Sequence, residues 1–123
     1  MTIHDNRTLR EIQIEFQSYF PFLKIEFYDA QHTAGEGSPP CQQIFDLSRT
    51  IRDIKRARTA GEININDNLK VSTLEQSFYE LYGLNVQVFR NSCGVWLQTT
   101  ITDHWTLGEQ NSKAKEFLHV RGI

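Results

Sequence analysis

Asp103 and His104 stand side by side, and a histidine beside a carboxylate is a ready proton carrier near neutral pH. General acid–base chemistry also needs a partner nucleophile or a substrate group within reach. The simpler reading is a strand-to-helix junction, where Asp and Thr cap the next helix. Neighbouring residues in a strand also point to opposite faces. Cys41 and Cys93 each follow a strand, and they invite a redox pair, or a metal held by Cys93 with His104 and His32. No CxxC, HxH or HExxH spacing supports either, so one buried thiol and one turn thiol are expected, with no metal and no cofactor.

Phosphate chemistry fares no better. Gly35-Glu36-Gly37 follows a strand, but Ser38-Pro39-Pro40 comes next, where a phosphate cradle requires helix amides. There is no Walker loop, no GxGxxG and no GxSxG. Arg49, Arg52 and Arg56 form a basic ridge flanked by Lys55 and Arg58 and offset only by Asp53. Such a ridge can track phosphates, yet no aromatic residue interleaves it and the chain carries a net charge of −2. It reads as a solvated helix face whose charges suit the C-terminal end of the helix dipole. Nucleic acid is therefore not an expected partner.

The elements that must position these residues are legible from capping and periodicity. Thr8-Leu9-Arg10-Glu11 has the form of a capping box and opens a helix over 8–20, with Ile12, Phe16, Tyr19 and Phe20 as its stripe. Pro21 stops it, and Leu23, Ile25 and Phe27 then alternate with Lys24, Glu26 and Tyr28 as a half-buried strand. Residues 29–40 form a Gly/Pro-rich loop, and residues 41–45 a short returning strand. Asp46 is placed to cap a helix with Leu47, Ile51 and Ile54 on one side, ending before Gly61.

Glu62 to Asn66 alternates as a strand, and Ser72-Thr73-Leu74-Glu75 reads as a second capping box. Its helix carries Leu74, Phe78, Leu81 and Tyr82 inward and ends at Gly83. Residues 84–90 and 95–102 alternate on either side of the Asn91–Gly94 turn, as a hairpin does. Thr106-Leu107-Gly108-Glu109 is a third capping box, opening a helix with Leu107, Ala114, Phe117 and Leu118 on one side.

The chain also nearly repeats itself. Residues 1–21 set over 63–83 without a gap place Ile3-His4-Asp5-Asn6 on Ile65-Asn66-Asp67-Asn68, and Ile12, Phe16, Tyr19 and Phe20 on Leu74, Phe78, Leu81 and Tyr82. After a one-residue slip, Leu23 to Tyr28 falls on Leu84 to Phe89. Each half reads as β-α-β-β-α, with boundaries near 1–61 and 62–123. Halves this small cannot each bury a strong core, so one domain over 1–123 with a shared core is expected. The fold class is α+β: a two-layer sandwich, an antiparallel sheet with helices mainly on one face, and pseudo-twofold symmetry from the duplication.

Strand parity then defines a candidate surface. With Val86, Val88, Leu97, Thr99 and Ile101 toward the helices, Tyr28, Phe89 and Trp96 share the other face with Gln87 and Gln98. Grouped aromatics among amides suit a binding surface, and a symmetric pair of patches suits a homodimer. No run is apolar enough to span a bilayer, the N-terminus lacks the form of a secretory signal, and two cysteines fit a reducing cytosol.

The run Val86-Gln87-Val88-Phe89-Arg90, with Gly94, Trp96-Leu97, Thr99-Thr100, Asp103, Trp105-Thr106-Leu107 and Glu109-Gln110-Asn111, resembles the C-terminal half of a family of small uncharacterised bacterial proteins. That resemblance covers about a third of the chain and implies a free-standing bacterial cytosolic protein without an assigned chemistry. The sequence thus reads as a non-enzymatic binding or self-associating cytosolic domain using its open sheet face. The alternative is an enzyme acting on a small molecule or nucleic acid, with its site near His104 and the 29–40 loop.

Overall fold

The structure, a computed structural model, describes residues 1–29, 43–55 and 61–120. Its elements run β1 (Thr2–Ile3), α1 (Leu9–Tyr19), β2 (Leu23–Tyr28), α2 (Ile51–Ile54), β3 (Ile63–Asn64), α3 (Val71–Tyr82), β4 (Asn85–Ser92), β5 (Val95–Gln98) and α4 (Leu107–Val120). This is an α+β fold. In place of the single sheet expected, the strands form two antiparallel sheets, β1-β3 and β2-β4-β5. The first is only two residues long per strand.

Two of the three expected capping boxes are present. In the first, Thr8 and Glu11 exchange hydrogen bonds, and in the other Thr106 and Glu109 do so. An unforeseen one joins Thr50 and Asp53 at the start of α2. The helix expected from Asp46 is thereby reduced to one turn, and Asp46 instead accepts from the Ser48 amide and hydroxyl.

The box at Ser72-Glu75 does not form, since α3 starts two residues earlier than that box requires, at Val71, and its N-cap Lys70 makes no side-chain cap bond. Backbone carbonyls take over that duty. The Val71 amide donates to the Trp105 carbonyl (3.0 Å) and the Ser72 amide to the Asp103 carbonyl (2.7 Å). First-turn amides satisfied this way need no capping side chain.

The same bonding scheme occurs twice. The N-cap residues Thr8 and Thr50 bridge each other, as do Lys70 and Thr106. Around the first bridge, Leu9 donates to Arg49, Ile51 to Arg7, Arg10 to Leu47 and Arg52 to Asp5; around the second, Val71 donates to Trp105, Leu107 to Leu69, Ser72 to Asp103 and Gly108 to Asp67. Two pairs that the sequence register makes counterparts also face each other directly, Thr2 with Asn64 and Glu26 with Gln87.

The core draws on both halves. Ile12 and Phe16 of α1, Ile25 and Phe27 of β2, Phe78 and Tyr82 of α3 and Val86 and Val88 of β4 belong to one buried cluster. Phe78 sits edge-on to Phe27 at 6.0 Å and to Tyr82 at 5.8 Å between ring centroids. α3 ends at Gly83, whose φ of 65° lies in the left-handed region that glycine adopts without strain.

The end of the hairpin departs from expectation. Strand pairing stops at Gln98, not near 102, because Thr99 folds both its amide and its hydroxyl onto the Val88 carbonyl. Gln110 then anchors Thr102 through two bonds of 2.8 Å. The chain is led across to α3 instead of along β4. Of the stripe expected on α4, Leu107 and Ala114 are buried, while the side chains of Phe117 and Leu118 lie outside the described residues.

Candidate functional site

The ladders put all five expected binding residues on one side of the sheet. Lys24 pairs with Phe89, Glu26 with Gln87 and Tyr28 with Asn85, while Phe89 pairs with Gln98 and Asn91 with Trp96. Burial then divides that side in two. Phe89, Trp96 and Gln98 are half-buried, but Tyr28 and Gln87 are only 2% and 0% exposed. These two cannot meet a partner from the surface.

The returning chain closes the Tyr28 end. Gln43 bridges Tyr28, the Ile44 amide donates to the Phe27 carbonyl at 2.7 Å, and the Gln43 and Gln13 amides both donate to Glu26. Burial, with a smaller contribution from Glu26, raises the Tyr28 phenol above its ordinary range. Cys41, the start of that returning segment, lies outside the described residues, as does the 30–42 stretch as a whole.

At the open end, the aromatic surface is partly spoken for. The Lys24 ammonium lies 5.2 Å from the Phe89 ring centre and 5.0 Å from that of Trp96, with Glu26 Oε1 3.4 Å away. A cation over two rings and beside a carboxylate stabilises the face and screens it.

The bare apolar surface lies on the opposite side of the hairpin. There Val95 is 58% exposed and Leu97 45%, and Ile101, in the turn beyond β5, is 88% exposed. Leu97 and Ile101 were expected to face the helices. They do not pack there because α4 leans on β4, where Gln110 accepts from Arg90 at 2.9 Å, and Arg90 lies over Trp105 at 5.7 Å.

The chemistry-bearing residues are dispersed. His104 is exposed, meets the edge of Trp105 at 6.4 Å and lies near enough to Glu109 to act on its charge. Cys93 occupies the hairpin turn with a φ of 54° and is half-buried. His32 and the Gly35–Pro40 stretch lie outside the described residues. Among the described residues no group of three or more His, Cys, Asp or Glu side chains is placed to hold a metal, and no helix is long and apolar enough to cross a membrane. An open groove of about 400 Å³ is lined by residues of the α1 end and the 65–68 turn and includes neither His104 nor Cys93.

The basic ridge is broken up as well. Arg52 and Lys55 both bind Asp5, at 3.2 and 2.9 Å, and Arg49 donates to the Asp53 carbonyl. Arg56 and Arg58 lie outside the described residues. With Arg52 and Lys55 committed to Asp5, labelled single- and double-stranded oligonucleotides are expected not to bind at micromolar levels in low salt. Micromolar binding that vanishes in Arg52→Glu/Arg56→Glu would refute this.

Glu75 has a different place from the cap that its sequence position predicts. It is only 7% exposed, and its Oε2 is buried without a hydrogen-bond partner among the described residues, as is Oδ2 of Asp103. Burial first, and the nearby Asp103 charge second, push the Glu75 carboxyl from 4.5 up to about 8. The signal was in the spacing: Val71, Glu75, Phe78 and Tyr82 recur at four, three and four residues, which is one helix face.

Compared with protein-family models, with curated proteins and with solved structures, the chain has no significant match.

Proposed function

We propose that this protein is a non-enzymatic, cytosolic binding domain that self-associates through the outer end of its sheet, around β5. The observation that carries this reading is the exposure of Val95 and Leu97 together on one side of β5, with Ile101 exposed in the turn that follows. Phe89, Trp96 and Gln98 flank the same strand on the other side, half-buried. β5 is also the last strand in the order β2-β4-β5. Contiguous apolar surface at the end of a sheet is an aggregation liability unless something covers it. A second copy laid antiparallel along β5 would bring Leu97 against its own counterpart, the self-complementary geometry of a twofold dimer.

Burying a leucine removes about 1.5–3 kcal/mol of exposure cost, and a twofold contact doubles the effect. Leu97→Asp is therefore expected to raise the dimer dissociation constant by at least about a hundredfold. Light scattering across a concentration series reads this directly, with Ile14→Asp, an exposed site on α1, as the control. A wild type that stays monomeric at high micromolar concentration, or a dimer indifferent to Leu97→Asp, sinks the proposal.

A further inference from the structure

We propose that the groove beside Asp67 is a docking site for an extended, basic segment of a partner protein, whose lysine or arginine pairs with the Asp67 carboxylate. The groove, about 400 Å³, is lined by Tyr19, Phe20, Ile65, Asn66, Asp67 and Asn68, with Met1 at its side. The sequence register sets these six on Leu81, Tyr82, Ile3, His4, Asp5 and Asn6. In that second set the chain itself covers Asp5, Leu81 and Tyr82, while His4 and Asn6 stay exposed.

The covering contacts are specific. Lys55 donates to Asp5 Oδ2 at 2.9 Å, and Arg52 reaches Oδ1 at 3.2 Å. These two cations hold the Asp5 carboxyl below the usual carboxylate range, Lys55 foremost. The Tyr82 hydroxyl donates to the Gly61 carbonyl at 2.7 Å, and His4 Nδ1 lies 3.4 Å from Glu62. Gly61 passes so close to Leu81 that an added Cβ would stand 2.9 Å from Leu81 Cδ2. An aspartate, an aromatic floor and a short polar turn are thus the seat of a lysine, and the Gly61 backbone passes close beside it.

At Asp67 the same seat is present, and no lysine or arginine among the described residues pairs with it. Aligning the two capping boxes, Thr50 with Thr106, puts Gly108 where Arg52 stands and Asn111 where Lys55 stands. Gly108 carries no charge, and Asn111 is turned away to accept from the Phe22 amide at 2.9 Å. Asp67 is exposed, and its carboxylate has no hydrogen-bond or ion-pair partner among the described residues. Tyr19, 60% exposed, leaves its ring free as one wall. The Met1 ammonium is already engaged with the Ile65 carbonyl at 2.9 Å. A carboxylate in a groove next to an aromatic ring suits a long cationic side chain, whose apolar stem covers the ring while its head meets the charge.

The probe is the peptide Ile-Lys-Arg-Ala-Arg-Thr-Ala-Gly-Glu, the sequence of residues 54–62, blocked at both ends. Titrated into the isotope-labelled full chain, it is expected to shift the amides of Tyr19, Asn66, Asp67 and Asn68 in a saturable way. Asp67→Asn keeps the backbone carbonyl that receives Gly108 and is expected to weaken binding about tenfold. The same peptide with glutamine at its three basic positions is expected to lose most of its affinity. Equal binding to Asp67→Asn, equal binding of the glutamine peptide, or shifts that do not saturate by about 5 mM overturn the proposal. Shifts at these amides on raising the protein concentration alone would make a second copy the occupant, and that also overturns it.

Discussion

The wild type is expected to lose stability as pH rises from about 5 to about 8, and Glu75→Gln to remove most of that decline. The folded carboxyl titrates at about 8, against 4.5 for a free glutamate, because burial and the neighbouring Asp103 both disfavour its charge. Between those two values the folded protein keeps a proton that the unfolded chain has lost. The sign follows: the stabilisation is complete below the unfolded pKa and is lost as pH climbs toward the folded one.

Within that window the loss is about 1.4 kcal/mol per pH unit, a few kcal/mol in total on the order-of-magnitude scale. Glutamine keeps the shape, stays neutral and leaves Asp103 without a charged neighbour at that position. Urea unfolding of both proteins at a series of pH values isolates Glu75, since all other titrations are common to the two. Parallel curves for wild type and variant would show that Glu75 is not the buried proton carrier.

Phe78→Ala is expected to cost about 3–5 kcal/mol, a large part of the total stability of a domain this size. The Phe78 side chain is fully buried and touches rings from both halves of the chain, Phe27 of β2 and Tyr82 of α3. Little around it can collapse into the cavity, because β2 and β4 hold each other through six paired residues on that floor. Its neighbour Tyr79 lies on the outer face of α3, and Tyr79→Ala is expected to change stability by less than about 0.5 kcal/mol. Since Phe78 links residues on either side of the 61/62 boundary, the transition of every variant should remain single and cooperative. A loss below about 1 kcal/mol for Phe78→Ala, or two separate transitions, would argue against a core shared by the halves.

Much of the local structure was legible from residues a few positions apart. The Thr8-Glu11 and Thr106-Glu109 caps, the inward Ile12/Phe16 and Leu74/Phe78/Tyr82 stripes, the stop at Gly83 and the Asn91–Gly94 turn are all contacts within one helical turn or one hairpin. Strand parity was legible for the same reason, and Tyr28, Gln87, Phe89, Trp96 and Gln98 do share a side of the sheet.

What covers a side is a different matter, because alternation fixes direction but not the neighbour met there. Tyr28 is buried because the chain returns beside it at Gln43, and Leu97 and Ile101 are bare because α4 packs on β4. The cap expected at Ser72-Glu75 failed for a related cause. Carbonyls of Asp103 and Trp105, some thirty residues on, satisfy those amides, and Glu75 is released into the interior. Sequence spacing determined the elements and their inward and outward faces; the long-range docking of the 99–105 turn and of α4 decided which of those faces remain for a partner.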